Sequence, residues 1–244
     1  MRYNCDMTTD LFLGGKLKIL QYKKGFRSGS DAVLLAAFIT GTNGTFLEVG
    51  CSTGVASLCL AARLPQAHIT GIDVADQLVE LATLNAQNNK LENQCKFLTE
   101  DIRESTLPKQ SFDHVFSNPP YFEAFSPSPQ KDRAIARTQS FPLSEWISAC
   151  IKMAKPRGRI SFIYPTSHLH LVIQAMEGLG DIIIFPLWSD ESRTLSKRVL
   201  ISGRKNVKTG LSLHSGLILH HQDGTYTPQA QDILKEGKGL IIDV

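Results

Sequence analysis

The chain has 244 residues, 42% hydrophobic and 20% charged, with a formal net charge of +3 at pH 7. This composition is ordinary for a globular protein of one α/β domain, and the charge is too small to indicate a nucleic-acid binder by itself. No stretch approaches the roughly 18 apolar residues of a membrane span, and residues 1–10 are too polar for a signal sequence, so we expect a cytoplasmic protein. Five scattered cysteines and seven histidines match no disulfide framework or metal signature, and we expect no metal.

Short β-type runs alternate with helical patterns from Phe46 onward, which is typical of a parallel sheet with helices on both faces. The predicted strands are 45–49, 68–72, 96–98, 112–116, 159–164 and 182–187, with 198–202 and 217–220 as an antiparallel ending. The predicted helices are 55–63, 76–89, 143–155 and 167–179. No linker long enough to separate two domains interrupts this pattern, so we expect one domain over residues 1–244, with an N-terminal segment, 1–44, before a core, 45–244.

The first predicted strand ends in a glycine-bearing turn that an acid precedes. Gly50 and Gly54 leave room for a sharp turn and for a ligand to touch the backbone. Glu48, two residues before the first glycine, would repel the pyrophosphate of a dinucleotide. The same acid suits S-adenosylmethionine, which carries a sulfonium and an ammonium group and no phosphate. The turn therefore predicts this cofactor.

Acids also follow the next two predicted strands. Asp73 is placed to accept hydrogen bonds from the hydroxyls of a ribose, and Asp101 to accept from an adenine amine while Ile102 packs on the ring. The alternative for each acid alone is a helix cap or a surface charge, but three successive strand ends share the pattern. The predicted cofactor-binding set in this half of the chain is Glu48, Gly50, Cys51, Ser52, Gly54, Asp73, Val74, Asp101, Ile102 and, from the next motif, Asn118.

The fourth predicted strand ends in Asn118-Pro119-Pro120-Tyr121. An exocyclic amine on a purine is a poor nucleophile because its lone pair is delocalised into the ring. The Asn118 side chain and the Pro119 carbonyl can each accept one amine hydrogen and direct the lone pair at a methyl donor. Pro120 stiffens the turn and has no amide hydrogen, and Tyr121 offers a face on which the base stacks. The alternative is a proline-rich turn with an asparagine cap.

Together, these motifs resemble the bacterial tRNA adenine-37 N6-methyltransferases that act on valine tRNA. The resemblance also includes the stretch GFRSGSDAVLLA at 25–36 and later segments at 198–200, 216–220 and 223–227. It implies a Rossmann-like class I methyltransferase fold, with a seven-stranded, mostly parallel sheet, one antiparallel strand and helices on both faces. It further implies that the N-terminal segment covers the methionine end of the cofactor, with Ser30 and Asp31 in that wall. Ser52 departs from the family, whose middle glycine usually sits there.

Two basic groups flank the predicted base pocket and are candidate contacts for structured RNA, in particular tRNA. Solvated surface charge is the alternative for both. A third basic group lies near the last strands, and for it we favour solvated charge. The predicted RNA-binding residues are Lys23, Lys24 and Arg27, with Lys16 and Lys18 nearby, and Arg133 and Arg137, with Lys131 nearby. The third group is Arg193, Lys197, Arg198, Arg204, Lys205 and Lys208.

Other functions remain open at this stage. A glutamine N5-methyltransferase acting on a protein release factor needs the same two carbonyl acceptors, although that family carries a helical domain before the core and only about 44 residues precede the first strand here. Adenine in ribosomal RNA or DNA is possible, because the pocket chemistry does not depend on what lies beyond the base. A catalytically silent RNA-binding protein on the same fold is disfavoured by the presence of both Asp73 and Asn118.

Overall fold

The computed structural model describes residues 7–41, 43–120 and 141–242. Within these ranges no helix is long and apolar enough to cross a lipid bilayer. The strands are β1 (Met7–Phe12), β2 (Leu17–Tyr22), β3 (Asn43–Val49), β4 (Gln66–Asp73), β5 (Cys95–Thr99), β6 (Phe112–Ser117), β7 (Ala154–Pro165), β8 (Gly180–Asp190), β9 (Ser196–Arg204), β10 (Leu211–Leu213) and β11 (Leu217–His220). The α-helices are α1 (Ser30–Phe38), α2 (Val55–Arg63), α3 (Asp76–Asn88), α4 (Leu143–Met153), α5 (Leu169–Ala175) and α6 (Pro228–Leu234).

The main sheet has the strand order β10-β8-β9-β7-β6-β3-β4-β5, and β11 also pairs with β8. Within the described part of this sheet only β9 runs antiparallel to its neighbours, β7 and β8. Strands β3 to β9 correspond to the first seven strands that the sequence predicts, and β11 corresponds to the predicted strand 217–220. Strand β10 is a short addition that pairs with β8 and that the sequence did not predict. The predicted mostly parallel sheet with one antiparallel strand is therefore confirmed.

The direction expected for the last strand is wrong. We expected 217–220 to run antiparallel, but β11 pairs parallel to β8, with Leu217 opposite Leu187. The physical reason lies in the path of the chain. Because β9 is antiparallel, it ends at the edge where β8 begins, so the chain that returns along the outer side of β8 must run in the direction of β8.

Both faces of the sheet are buried, as expected for a parallel sheet between two layers of helices. Adjacent residues of β3 show this alternation, because Phe46 belongs to one apolar cluster while Leu47 and Val49 belong to the other. Helix α2 packs in the first cluster and helix α4 in the second. Helix α2 begins shortly after the end of β3, and Trp146 of α4 lies against Gly50, the residue after β3. Both helices therefore flank the edge where the candidate site lies.

The N-terminal segment contains elements that the sequence analysis did not predict. Strands β1 and β2 form an antiparallel hairpin with Met7 opposite Tyr22, and α1 follows. Two asparagines bind the backbone of β2, Asn85 in the last turn of α3 and Asn89 at the C-cap of that helix. Asn85 accepts from the Leu20 N–H (2.8 Å) and donates to the Leu20 carbonyl (3.1 Å), and Asn89 makes the same pair of bonds to Lys18 (2.9 Å each).

These asparagines lie one helical turn apart and reach alternate residues of β2, so their amides take the place of a neighbouring strand. Asn85 is fully buried and also donates to the Thr53 carbonyl (3.0 Å) in the glycine turn. The hairpin is thus attached to the same turn that the sequence assigns to the cofactor. This attachment positions the N-terminal segment against the site.

Candidate active site

The site lies where the order of strands in the sheet reverses. From β3 the chain continues to β4 and β5 on one side, whereas β6 and β7 lie on the other. Ligands of open parallel sheets bind in the crevice outside the carboxyl ends of the strands at this point. Val49 of β3 is directly opposite Ser117 of β6, so Gly50 and Asn118 are the next residues of two neighbouring strands. The structure therefore places the turn that is predicted to bind the cofactor beside the turn that is predicted to hold the target amine.

Ser117 and Trp146 fix the relative position of these two strand ends. The Ser117 hydroxyl donates to the Val49 carbonyl (2.6 Å), and Trp146 Nε1 donates to Ser117 Oγ (3.1 Å). Both side chains are buried. The Trp146 ring also lies against Gly50, since a Cβ at residue 50 would come within 3.2 Å of Trp146 Cζ2. Sequence reasoning missed both residues, because neither belongs to a motif and they meet only in the folded chain.

The glycine turn has the backbone geometry that its sequence requires. Gly50 and Gly54 have φ values of 75° and 82°, in the left-handed region. A Cβ at residue 54 would lie 2.8 Å from the Phe97 ring, so a side chain there would also displace β5. The N–H groups of Gly50 and Cys51 both donate to the Ile72 carbonyl (2.8 and 2.9 Å), which ties the turn to the end of β4. Cys51 is buried, and burial raises the pKa of its thiol well above the ordinary value, so it stays a neutral apolar contact.

Ser52 occupies this turn at some cost. Its φ is 49°, a region that glycine adopts freely and other residues adopt at a cost of about 1 kcal/mol. Its side-chain oxygen is buried without a hydrogen-bond partner in the described structure. The Ser52 N–H nevertheless donates to Asp73 Oδ2 (2.9 Å). Ser52 therefore adopts a strained backbone conformation where the family usually has glycine, and its N–H still binds Asp73.

Asp73 lies at the end of β4 with its carboxylate held in place. Oδ2 accepts from the Ser52 N–H, and Oδ1 accepts from the Ala75 N–H (3.0 Å). Burial raises the pKa of Asp73 above its ordinary value, and the backbone N–H groups of Ser52, Ala75 and Val74 oppose that shift. Asp73 lies at the end of β4 and Val74 follows it, and their assignment to the cofactor stays a prediction.

Glu48 is a buried acid that also stabilises a helix. Its Oε2 accepts from the Ser57 backbone N–H (2.9 Å) and hydroxyl (2.5 Å) in the first turn of α2. Removal from water raises its pKa to about 8 in spite of these bonds. With a pKa of about 8, Glu48 is largely protonated near neutral pH. Glu48 Oε2 thus acts as a helix cap, which is the alternative that the sequence analysis gave for these acids.

Asp101 follows β5 on the same edge as Asp73, and the Glu100 N–H donates to the Asp73 carbonyl (3.0 Å). The Asp101 carboxylate accepts from the backbone N–H (3.0 Å) and the guanidinium of Arg103. That guanidinium stands 5.3 Å from the centre of the Phe141 ring. Ile102 is buried beside these groups. Asp101 is thus in the predicted region, already bound by a neighbour that the sequence analysis did not pair with it.

The N-terminal wall is tied to the far half of the sheet. Ser30 begins α1 and is exposed, and Asp31 Oδ2 accepts from Arg198 Nε of β9 (3.0 Å). The 25–36 and 198–200 segments that the sequence analysis quoted therefore meet in space. Asn118 is half-buried and Pro119 is buried, whereas Tyr121, Arg133 and Arg137 lie outside the described residues.

The chain is similar to known methyltransferases over most of its length. The sequence model of a protein family described as a methyltransferase domain matches residues 41–200. The tRNA1(Val) (adenine(37)-N6)-methyltransferase of Porphyromonas gingivalis W83 is 32% identical over 173 residues, which cover 67% of this chain and 68% of that relative. The chain belongs to this methyltransferase family. The similarly named protein of Pedobacter heparinus is 29% identical over 218 residues, covering 86% of this methyltransferase and 90% of the relative.

A solved structure of a predicted O-methyltransferase from Agrobacterium tumefaciens superposes on this methyltransferase with a TM-score of 0.74 and 22% identity. The match covers 88% of this chain and 100% of that chain. At this identity the likeness shows the fold alone. It confirms the Rossmann-like class I methyltransferase fold, and the family match supports the use of S-adenosylmethionine.

Ser52→Gly is expected to stabilise the protein by about 1 kcal/mol, because it removes both the left-handed strain and the unpaired buried hydroxyl. Ser52→Ala is the matched control, since it removes the hydroxyl and keeps the strain. The free energy of unfolding from denaturant titration checks this. A Ser52→Gly protein no more stable than Ser52→Ala would show that the backbone strain is not felt.

Glu48→Gln is expected to remove a pH dependence of stability. The folded-state pKa of Glu48, about 8, lies above its ordinary value of 4.5, so the folded protein binds a proton that the unfolded chain releases. The stability from this group is present below about pH 4.5 and is lost as the pH rises to about 8. Denaturant titrations without cofactor should show a decline with pH in the unaltered protein and a flatter profile in the variant. Parallel profiles would mean that Glu48 is ionised throughout.

Ser117→Ala is expected to lower kcat about tenfold and leave KM for the cofactor nearly unchanged, because it frees the end of β6 from the Val49 carbonyl and misplaces Asn118. The matched control is Ser202→Ala, which also removes a buried sheet hydroxyl, one that accepts from Arg159 Nη1 (2.9 Å). Steady-state kinetics and the free energy of unfolding are measured on both. Equal losses of kcat at equal losses of stability would reduce Ser117 to an ordinary structural residue.

Proposed function

We propose that this protein transfers the methyl group of S-adenosylmethionine to the N6 amine of adenine 37 in a valine tRNA. Its membership of the family and the names of its relatives support this activity. The observation that carries the proposal is the register of β3 and β6, which sets the Asn118 turn beside the glycine turn. A methyl donor on one turn and an amine on the other would meet at the carboxyl edge of the sheet.

The cofactor fits the chemistry of the crevice. Three acids, Glu48, Asp73 and Asp101, lie at or just beyond the ends of the neighbouring strands β3, β4 and β5. Acids at these positions favour a ligand with positive charge and hydroxyl groups over one with phosphates. When bound, S-adenosylmethionine supplies an electrophilic methyl group on a positively charged sulfur. We assign Asp73 to the ribose, Asp101 and Ile102 to the adenine, and Glu48 with Gly50 to the methionine end.

The N-terminal segment, 1–44, closes the methionine end of this site in our proposal. Its hairpin is bound to the glycine turn through Asn85 and Thr53, and Asp31 is bound by Arg198 of β9. Ser30, at the start of α1, lies beside Asp31 in the same wall. The core, 45–244, then supplies the remaining contacts as one domain.

The target amine is held by the turn after β6. Asn118 Oδ1 and the Pro119 carbonyl accept the two amine hydrogens, so the nitrogen lone pair points out of the plane of the base and toward the sulfonium methyl. Pro119 and Pro120 keep the turn stiff, so the acceptors are preorganised. The cationic methylated amine then loses one proton to water. Tyr121 stacks on the flipped adenine in this proposal, which offsets part of the cost of unstacking it.

The RNA approaches the carboxyl edge of the sheet. Lys23, Lys24 and Arg27 are exposed directly after β2, and we retain them, with Arg133 and Arg137, as phosphate contacts. The third basic group is divided by the antiparallel course of β9. Lys205, beyond its far end, donates to the carbonyls of Ile151 and Ala154 (3.1 and 3.0 Å) and so stabilises the end of α4.

The function is tested by incubating the protein with labelled cofactor and separate pools of tRNA, ribosomal RNA, DNA and release factor, followed by nucleoside and peptide analysis. Label in N6-methyladenosine of valine tRNA supports the proposal, and sequencing across the anticodon loop locates the position. Label in glutamine of the release factor, or in DNA or ribosomal RNA alone, would contradict it.

Asn118→Ala is expected to bind the cofactor normally and to lower kcat by two orders of magnitude or more, because one of the two acceptors of the amine is lost. Asn118→Asp is the conservative control and should keep a measurable part of the rate, since its carboxylate also accepts. Cofactor affinity is measured by equilibrium titration, and transfer by single-turnover kinetics. Near-normal transfer by Asn118→Ala would remove the role proposed for this side chain.

A further inference from the structure

The loop after β2, residues 23–28, carries an aromatic side chain among cations. Phe26 is 63% exposed and is the only exposed phenylalanine in the part of the chain that the structure describes. Lys23, Lys24 and Arg27 in the same loop are also exposed, and no acid occurs between Tyr22 and Ser30. An exposed aromatic ring between basic residues is typical of proteins that bind single-stranded nucleic acid, whose bases stack on the ring while the cations meet the phosphates.

The base of this loop is bound to the active site. Gln21 is buried and holds both ends of the Ser28 backbone, accepting from its N–H (2.8 Å) and donating to its carbonyl (3.1 Å). The same Gln21 Oε1 accepts from the Thr53 hydroxyl (3.4 Å) in the glycine turn. Gln21 and Arg27 both donate to Asp10 Oδ2, which fixes the loop to the hairpin. The loop therefore stands at the mouth of the crevice in a defined position.

The basic residues around Phe26 and its position beside the site indicate which group stacks on its ring. A base that leaves its stack to enter the crevice exposes the faces of its neighbours, and an aromatic ring nearby can replace the lost contact. Leu11 is exposed to a similar degree, 66%, on β1, but it has no π face and lies outside the basic loop. It provides an internal comparison on the same hairpin.

We propose that Phe26 is the stacking platform for a nucleotide adjacent to the target adenine in a single-stranded loop of the RNA substrate. This inference rests on the proposed function and adds a second base contact to it, outside the pocket that holds the reacting amine. The side chain binds the neighbouring base by its face, so it accepts any base and contributes affinity without reading sequence. Lys23, Lys24 and Arg27 hold the phosphates on either side of that nucleotide.

The first experiment compares four variants on an anticodon stem-loop RNA. Phe26→Ala and Phe26→Leu should each weaken RNA binding about tenfold, and Phe26→Tyr should bind nearly as the unaltered protein does, because only an aromatic ring supplies the stacking face. KM for the cofactor should stay unchanged in all of them. Leu11→Ala is the control and should leave RNA binding as it is. Equal effects of Phe26→Ala and Leu11→Ala, or a rise in KM for the cofactor, would overturn the proposal.

The second experiment removes the partner base. Stem-loops with an abasic site directly before or after the target adenine are titrated against the unaltered protein and Phe26→Ala. One of the two abasic sites should cost the unaltered protein about tenfold in affinity and cost Phe26→Ala almost nothing, because the contact is already lost. Equal penalties in both proteins at both sites would overturn the assignment. Absence of methyl transfer by the unaltered protein would instead contradict the proposed function, and these binding measurements would still decide the role of Phe26.

Discussion

The hydrogen bond from the Ser117 hydroxyl to the Val49 carbonyl is the interaction on which the site depends. It locks two neighbouring parallel strands at their last residues, so the glycine turn and the Asn118 turn begin about 5 Å apart, the spacing of strands in a sheet. Trp146 supports the bond with its own N–H and fills the space that Gly50 leaves open. A slip of one residue between β3 and β6 would turn one of the two motifs to the opposite face of the sheet, so this buried bond also protects the alignment of the reaction.

The acids around the crevice have structural bonds before any ligand arrives. Glu48 accepts from Ser57 at the start of α2, Asp73 accepts from two backbone N–H groups, and Asp101 accepts from Arg103. These bonds preorganise the carboxylates, and they also explain how such groups persist near an apolar core. For Glu48 the compensation is incomplete, because burial still raises its pKa to about 8. A cofactor with a positive charge nearby would supply the missing part by favouring the ionised form, so cofactor binding and the protonation of Glu48 are coupled.

The sequence was most informative where the signal is local. Helix α2 begins and ends where it was predicted, because Gly54 starts it and Pro65 follows it closely, and the strand-end motifs follow β3, β4, β5 and β6 as expected. The missing parts depend on contacts between distant residues. The N-terminal hairpin is stabilised by asparagines more than sixty residues away, and the Ser117 to Trp146 bond joins residues that no local pattern connects. The direction of β11 likewise depends on the path of the chain around β8.

The antiparallel strand β9 restricts where the RNA can be held. It starts at the carboxyl edge with Ser196 and ends at the opposite edge with Arg204, a span of roughly 25 Å along the strand. Arg204 and Lys205 therefore lie far from Asn118, although Arg198 reaches the N-terminal wall through Asp31. The third basic group, whose members lie between residues 193 and 208, is thus divided between the two edges of the sheet. The cations that can share one substrate with the crevice are those of its own edge, and among them the 23–28 loop is bound directly to the glycine turn through Gln21. Because Gln21 binds both the loop and the turn, the position of the 23–28 loop depends on the position of the glycine turn.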